Sequence, residues 1–296
     1  MSAERNRAIL NQFEAYLTQI ALSPKTVTNY LADMRSFTRW AEKTYGNDFF
    51  LIAVTPEQIR AYRSYLAEEQ KRAASTVNRH LQALRKCCAY LAQANLAPVN
   101  AAEEISLVSA EKKTAPSALP TQKVEAFLQA AVQTRSAIAK RDAAIVNLLV
   151  GAGLRVAETS NLQMDDVIFD YPGVHLAVRD SRGQGKRDIP LSREVYSALK
   201  EWLVIRPKNA SPYVFLSQEA RPVSARTIQR IVSRCAKTAG LNGVTAQLLR
   251  RTYALRLLEQ TGDLDLVQQR LGHRDSGVTA RYLNIESLQI DADGHR

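Results

Sequence analysis

The sequence predicts a mostly α-helical protein with one small antiparallel β-sheet, arranged as two domains. Apolar residues recur at helical spacing through most of the first hundred residues, whereas residues 167–191 alternate like short strands between turn sequences. A stretch low in aromatic residues separates the two regions. We therefore expect a helical N-terminal domain at 1–105, a linker at 106–118 and an α+β C-terminal domain at 119–296.

The N-terminal domain is predicted to contain four helices that pack as a compact bundle. Helical spacing of apolar residues begins within residues 11–20, and Ser23-Pro24 then has the pattern of an N-cap residue followed by a proline in the first turn. Thr55, with Gln58 three positions later, predicts a capping box at the third helix. Ser75 is expected to cap the fourth helix.

The polar faces of these helices are rich in lysine and arginine, and the whole chain has a formal net charge of +11. Such an excess suits a polyanionic partner, and double-stranded DNA is the expected one. For any one of these side chains, an ordinary solvated position is the alternative. The candidate DNA-contacting residues are Lys25, Arg35, Arg39, Arg60, Arg63, Lys71, Arg72, Arg79, Arg85 and Lys86.

The second domain is predicted to begin with a helix capped by Thr121. An apolar helix follows at 141–150 and stops at Gly151-Ala152-Gly153, because glycine favours a helix end. Short strands separated by turn sequences indicate an antiparallel meander. The strands are expected at 167–169, 174–178 and 188–191, and further helices at 194–203 and 224–239.

Composition excludes several other classes of protein. No apolar run approaches the ~20 residues that cross a bilayer, so no membrane association is expected. The first residues lack the apolar core of a signal peptide, and the three cysteines, Cys87, Cys88 and Cys235, do not form a disulfide framework, so we expect a cytoplasmic protein. The four histidines are scattered, so neither a metal site nor another cofactor is expected.

Near the C-terminus the chain gathers the residue types needed to act on a phosphodiester without a metal ion. Arginine binds phosphate oxygens with paired N–H groups, histidine can donate a hydrogen bond, and tyrosine can serve as an oxygen nucleophile. Arg250, His273 and Tyr282 provide these groups, and no cluster of acidic residues lies close to them in the sequence. Neighbouring arginines are expected to favour the ionised phenolate of the tyrosine.

Several segments resemble the tyrosine recombinases, the phage-integrase and Xer-type enzymes. Two segments of the second domain resemble the two sequence boxes of that family, and Tyr282 stands nine positions after His273, as the family's tyrosine does. Two N-terminal segments are similar to the family's helical, DNA-binding core-binding domain. The likeness covers residues 10–285. The matching segments are Gly151 to Glu158, Gln247 to Arg250, Leu271 to His273, Leu22 to Val27 and Ser75 to Arg79.

The resemblance implies a role for each site residue. Arg155 and Arg250 would clamp the scissile phosphate, His273 would donate to a non-bridging oxygen, and Glu158 would orient an arginine or the nearby turn. Tyr282 would attack the phosphorus, form a 3′-phosphotyrosyl link and release a 5′-hydroxyl. The resemblance further implies a homo-oligomer, from dimer to tetramer, on a double-stranded recombination site, exchanging strands through a Holliday junction, with or without a second recombinase.

Two positions depart from the family's pattern. The family has histidine three residues before the second arginine, where this chain has Gln247, which cannot exchange protons at neutral pH. The family's hairpin lysine, which protonates the leaving oxygen, aligns without gaps with Arg182, a poor general acid; Lys186 lies four positions on and is favoured modestly. These departures leave open an accessory DNA-binding relative with weakened or lost catalysis. A type IB topoisomerase-like enzyme would share the chemistry.

Overall fold

The structure is a computed structural model, and it describes residues 2–46, 48–109, 118–133, 137–170, 173–179, 185–208 and 211–283. The chain divides into two compact units, residues 1–113 and 114–296. Within the described ranges, both units are built from helices, and the second also holds a three-stranded sheet. None of the helices in these ranges is both long and apolar enough to cross a membrane.

The first unit is a bundle of four helices with a core rich in aromatic side chains. Phe13, Phe37 and Tyr62 are fully buried, and the Phe37 and Tyr62 rings meet edge to face with their centroids 5.1 Å apart. A π-helical turn at Tyr65–Glu69 extends the third helix. The helices are α1 (Ser2–Gln19), α2 (Pro24–Tyr45), α3 (Pro56–Ser64) and α4 (Ala74–Gln93).

Local sequence decides where two of these helices begin. The Ser23 hydroxyl accepts the Thr26 backbone N–H at 3.1 Å, and Thr55 forms a reciprocal capping box with Gln58, which confirms both predictions. The prediction that Ser75 caps α4 is wrong. The helix begins at Ala74, and its N-cap is Ala73, whose side chain cannot accept a hydrogen bond.

Two of the predicted DNA-contacting residues donate hydrogen bonds to backbone carbonyls within the first unit. Arg63 donates to the Ser106 carbonyl at 3.2 Å and Arg85 donates to the Ile105 carbonyl. Asn78 exchanges two hydrogen bonds with the backbone of Val108. These contacts hold the last described segment of the unit against α3 and α4, so Arg63 and Arg85 have a structural role within the unit.

The second unit surrounds a larger core, and its sheet is a meander in the order β1-β2-β3 with antiparallel pairing throughout. Val167 pairs with Leu176, and Leu176 pairs with Ile189, so that the three buried side chains form one face of the sheet. The elements are α5 (Thr121–Ala131), α6 (Ala137–Gly151), α7 (Val156–Asn161), β1 (Val167–Asp170), β2 (Gly173–Arg179), β3 (Lys186–Pro190), α8 (Arg193–Ile205), α9 (Ala225–Thr238), α10 (Ala246–Thr261), α11 (Leu264–Leu271) and α12 (Ser276–Leu283).

The start of α5 differs from the prediction. Thr121 is the first helical residue rather than the N-cap, which is Pro120. The Thr121 hydroxyl instead accepts a hydrogen bond of 3.1 Å from Arg256 on α10, while the neighbouring Leu119 N–H donates to Thr252. The threonine side chain therefore ties α5 to α10 rather than closing its own helix end.

The last three helices have a small apolar cluster of their own. Ala254 of α10, Val267 and Leu271 of α11 and Leu283 of α12 are buried together. Burial of a leucine side chain contributes about 1.5–3 kcal/mol. This cluster fixes α11 and α12 against α10, and it thereby sets the position of the C-terminal residues predicted to act in catalysis.

Candidate active site

The structure brings Arg155, Arg250, His273 and Tyr282 together in the second unit, although they are spread over 128 positions of the chain. Arg155 precedes α7, and its Nη2 donates to the Gly272 carbonyl at 3.3 Å. Arg250, on α10, donates to the Leu271 carbonyl. His273 is the next residue after Gly272, and its ring meets the Tyr282 ring edge to face, with centroids 5.3 Å apart.

Glu158 on α7 joins the arginines of this site. One carboxylate oxygen accepts from Arg155 Nη1 at 2.7 Å, and both accept from Arg187, at 3.0 and 2.8 Å. The nearest approach to Arg250 Nη1 is 3.6 Å. Glu158 also accepts the Arg155 backbone N–H at 2.7 Å. The carboxylate thus orients an arginine and closes the turn before α7, the two roles foreseen for it.

Burial and charge act in opposite directions on these groups. Burial raises the pKa of Glu158, but hydrogen bonds and positive charge from Arg187 and Arg155 outweigh it, so the pKa is lowered overall. Burial and the nearby Arg155 lower the pKa of Arg250 to about 10. Both groups are therefore charged at neutral pH, and the cluster keeps an excess of positive charge.

Two glycines allow the backbone to fit closely around the arginines. Gly153 has a φ of +59°, and a Cβ at this position would lie 2.2 Å from the Tyr253 ring. Its carbonyl accepts from Arg250 Nη1 at 2.7 Å. Gly272 has a φ of +61° and would place a Cβ 3.1 Å from Arg187. Other residues at these positions would incur strain or displace a side chain.

Arg187 is a site residue that the sequence reasoning missed. Its side chain is 12% exposed, and besides binding Glu158 it donates from Nε to the Arg270 carbonyl at 2.8 Å. The available signal was strand alternation: Arg187 stands two residues before Ile189, whose side chain is fully buried in β3. A charged residue on the buried face of a strand requires a buried partner.

The candidate proton donors and Gln247 lie in different settings. Lys186 is exposed at the start of β3, and alternation along the strand directs it away from the face that carries Arg187. Arg182 lies outside the described residues. Gln247 is exposed in the first turn of α10, and its backbone carbonyl accepts the Tyr282 hydroxyl at 3.2 Å. That contact uses the main chain rather than the glutamine side chain.

Arg251 anchors the helix that carries Tyr282. Arg250 and Arg251 are adjacent on α10, and both side chains are buried. Arg251 donates from Nη1 to the Tyr282 carbonyl at 2.7 Å and from Nη2 to the Leu283 carbonyl at 2.9 Å. These charge-assisted bonds satisfy carbonyls at the end of α12.

The tyrosine and the histidine have shifted pKa values. Burial raises the pKa of Tyr282 above its ordinary value of 10.0, and although Arg250 and Arg251 lower it as expected, their effect is smaller. The arginines therefore do not by themselves produce the phenolate. Burial, together with Arg250 and Arg155, lowers the pKa of His273 to about 4, and its Nδ1 lies 3.0 Å from the buried Thr279 hydroxyl. The imidazole is neutral at pH 7.

The depressed pKa of His273 predicts a pH dependence of stability. Between about 6.5 and about 4 the unfolded chain binds more protons at this residue than the folded chain, so stability falls as pH falls through that window. In His273→Gln this contribution disappears, so the drop in melting temperature from pH 7 to pH 5 is expected to be smaller. Thermal unfolding without DNA measures it, and an equal drop in both proteins would contradict the prediction.

Two protein-family models match the chain, one in each unit. The family model described as "Phage integrase family" matches residues 117–288, and the one described as "Phage integrase, N-terminal SAM-like domain" matches residues 10–95. The chain is 30% identical to the tyrosine recombinase XerC of Alcanivorax borkumensis over 94% of this chain and 90% of that one. It is 29% identical to XerC of Pediococcus pentosaceus over 95% of each chain.

Among solved structures, a lambda integrase tetramer bound to a Holliday junction matches with a TM-score of 0.73 and 21% identity, over 93% of this chain and 76% of that one. This likeness concerns the fold, and the expected class, mostly helical with a small antiparallel sheet and two domains of the tyrosine-recombinase type, is confirmed. Because a family model covers more than half of the chain, the protein belongs to the phage integrase family and is a tyrosine recombinase.

Proposed function

We propose that this recombinase breaks and rejoins DNA by metal-free transesterification, with Tyr282 as nucleophile and Arg155, Arg250 and His273 as the groups that bind the scissile phosphate. The observation that carries the proposal is the convergence of these four residues beside Glu158. The tyrosine oxygen bonds to phosphorus as the 5′-oxygen leaves, which gives a 3′-phosphotyrosyl link. A 5′-hydroxyl of another strand reverses the step without ATP.

The arginines supply the positive charge that the transition state requires. Attack on a phosphodiester adds negative charge to the non-bridging oxygens, and donors that are already oriented stabilise it most. Arg155 is 40% exposed and accessible to a strand, while Arg250 uses two of its five N–H groups on backbone carbonyls. Neutral His273 donates from Nε2 if the Thr279 hydroxyl donates to Nδ1.

Tyr282 has to lose its proton when it attacks. In the DNA-free protein its hydroxyl donates to the Gln247 carbonyl, which cannot accept the proton as a base, and burial holds the pKa above 10.0. The proton therefore passes to solvent water as the oxygen attacks, and the arginines stabilise the negative charge as it develops. Gln247 aligns the phenol through its backbone carbonyl. Because that contact does not involve the side chain, a glutamine at this position is compatible with the chemistry.

The leaving 5′-oxygen needs a proton, and the candidate donors are Lys186 and Arg182. A 5′-bridging phosphorothiolate substrate leaves as a thiolate and needs little protonation. If Lys186 is the donor, Lys186→Ala is expected to lose about 10²- to 10⁴-fold in cleavage rate on ordinary DNA and to recover on the phosphorothiolate. Arg182→Ala is the matched comparison. Recovery of Arg182→Ala alone would assign the role to the arginine.

Covalent capture tests the proposed function. A nicked duplex in which the short fragment downstream of cleavage diffuses away traps the intermediate as an adduct that survives SDS. The proposed polarity requires the strand's 5′-end label to stay with the protein, and the released fragment to carry a 5′-hydroxyl that accepts phosphate from polynucleotide kinase. Sequencing adducts recovered from genomic fragments identifies the site. DNA binding without any adduct would instead indicate an accessory protein.

We further propose that the first unit, residues 1–113, grips the DNA and that copies of the chain assemble on it. The lambda integrase neighbour is a tetramer on a Holliday junction, and the net charge of +11 favours a polyanion. Two protomers on one recombination site and four at the junction are expected, with a second recombinase sharing the site in some settings. Light scattering of the purified complex with DNA measures the number of protomers. A cytoplasmic location fits this substrate.

A further inference from the structure

A chain of buried polar groups crosses the first unit and ends at a surface arginine. Asp33 on α2 is 3% exposed, and its Oδ2 accepts from Arg79 Nη1 at 2.6 Å. The other carboxylate oxygen lies 3.5 Å from Nε2 of His80 on α4. His80 Nδ1 lies 3.3 Å from the hydroxyl of Tyr62, which donates to Ser36 at 3.1 Å.

Arg79 differs from the other arginines of this unit that have described partners. Its side chain is 45% exposed although it holds a buried carboxylate. By contrast, Arg60 pairs with Glu57, which is itself 74% exposed, and Arg63 and Arg85 donate to backbone carbonyls. Arg79 thus has a partly exposed side chain while one of its amino groups is held by the buried carboxylate of Asp33.

Such fixing changes how the arginine can bind. A free arginine side chain loses about 2 kcal/mol of rotamer entropy when it is immobilised, and a side chain that is already ordered avoids part of that loss. Asp33 accepts from a single amino group, and the guanidinium has five N–H groups in a rigid plane. Donors on the exposed edge remain oriented towards solvent, in the geometry that suits phosphate oxygens.

We propose that Arg79 binds a phosphate of the DNA backbone, and that Asp33, buried beside His80, is a positioning residue that orients Arg79 for this contact. The inference rests on the proposed function of the first unit as a DNA grip, and it identifies one phosphate ligand and the groups that orient it. The competing explanation is that the Asp33–Arg79 ion pair only links α2 to α4 and has no role in DNA binding.

The two explanations predict opposite changes in DNA affinity for Asp33→Asn. Asp33→Asn removes a negative charge, so electrostatics alone would strengthen binding to DNA. If Asp33 positions Arg79, the same substitution weakens binding, because the amide orients the guanidinium less firmly. The loss must also depend on Arg79: in an Arg79→Ala background, Asp33→Asn is expected no longer to weaken binding.

The experiment titrates the full-length chain against a fluorescein-labelled 30-base-pair duplex of arbitrary sequence at several salt concentrations. Arg79→Ala is expected to weaken binding about tenfold and to lower the slope of log K against log salt by about 0.9, the value for one phosphate contact. Arg60→Ala removes another candidate DNA-contacting arginine, whose partner Glu57 is exposed rather than buried, so it is expected to weaken binding less than Arg79→Ala does, by under about threefold. Arg79→Lys should recover only part of the affinity, since lysine lacks the planar fork.

Melting temperatures and Tyr62→Phe control for folding. Tyr62→Phe removes a hydroxyl from the same buried chain without touching Arg79, and it is expected to leave the affinity unchanged. Should Asp33→Asn not fold, the salt slopes of Arg79→Ala and Arg79→Lys decide the matter.

Equal losses in Arg79→Ala and Arg60→Ala, or tighter binding by folded Asp33→Asn, would overturn the inference while covalent capture by wild-type protein still upheld the proposed function. If the wild-type chain neither retains the duplex at low salt nor forms an adduct, both ideas fail together.

Discussion

Tyr282→Phe is expected to abolish covalent adduct formation, a loss on the order of 10⁴-fold or more, as when a nucleophile is removed from other enzymes. Phenylalanine keeps the ring that meets His273 and removes the oxygen that would bond to phosphorus. The fold loses the hydrogen bond to the Gln247 carbonyl, which contributes about 1 kcal/mol, and the contact of the hydroxyl with Arg250. DNA affinity and melting temperature should therefore stay close to wild type. The assay is the time course of SDS-stable adduct on the nicked duplex.

Tyr253→Phe provides a matched control. Tyr253 is also partly buried in the second unit, and its ring packs on Gly153. Its charged neighbours include Arg187 and Arg250, whereas the described ring contact of His273 is with Tyr282. Its removal is expected to leave the adduct rate within a few-fold of wild type. A normal yield of adduct from Tyr282→Phe would show that another group is the nucleophile, and peptide mapping of the DNA-linked fragment would then identify it.

Glu158→Gln is expected to have the largest effect on stability, about 3 kcal/mol, since removing one partner of a buried ion pair leaves uncompensated charge. The carboxylate binds Arg155 and Arg187 directly and lies 3.6 Å from buried Arg250, so its loss leaves three cations in mutual repulsion. The cleavage rate should fall as well, because Arg155 loses its orientation. Urea unfolding at pH 7 measures the change in the free energy of unfolding.

The ion pairs of Glu158 also determine how acid should affect the stability of the wild-type protein. Because the pKa of Glu158 is lowered in the folded state, its stabilising contribution is present above the unfolded value of 4.5 and is lost as pH falls through the folded one. Glu158→Gln lacks this contribution at every pH, so the difference between the two proteins should shrink in acid. Glu57→Gln, in an exposed pair with Arg60, should leave the stability close to that of the wild type. Equal effects of the two substitutions would contradict the assignment.

The sequence was most informative where structure is local. The caps at Ser23 and Thr55 depend on residues within three positions, and both were predicted correctly. The starts near Ser75 and Thr121 were each misplaced by one or two residues, because several adjacent residues could begin the helix. The four residues in register with the recombinase boxes were predicted to act together, and they do lie together.

Contacts between distant elements were not predictable in this way. Arg187 meets Glu158 across 29 positions, and Asp33 meets Arg79 across 46. Each residue taken alone resembles a solvated surface charge, and only the packed fold shows that one partner is buried. The proton donor is a different case. The choice between Lys186 and Arg182 depends on the length of a turn, and Arg182 lies outside the described residues.

Arg250 and Arg251 are neighbours on α10, and their side chains have separate tasks. Arg250 holds the carbonyls of Gly153 and Leu271, whereas Arg251 holds those of Tyr282 and Leu283. Because one peptide unit joins the two arginines, their positions on α10 set the distance between the proposed phosphate site and the tyrosine. Changes in loop length between α10 and α12 can accumulate without altering that spacing. A one-residue insertion between the two arginines would instead rotate one of them by about a further 100° relative to the other and misalign them.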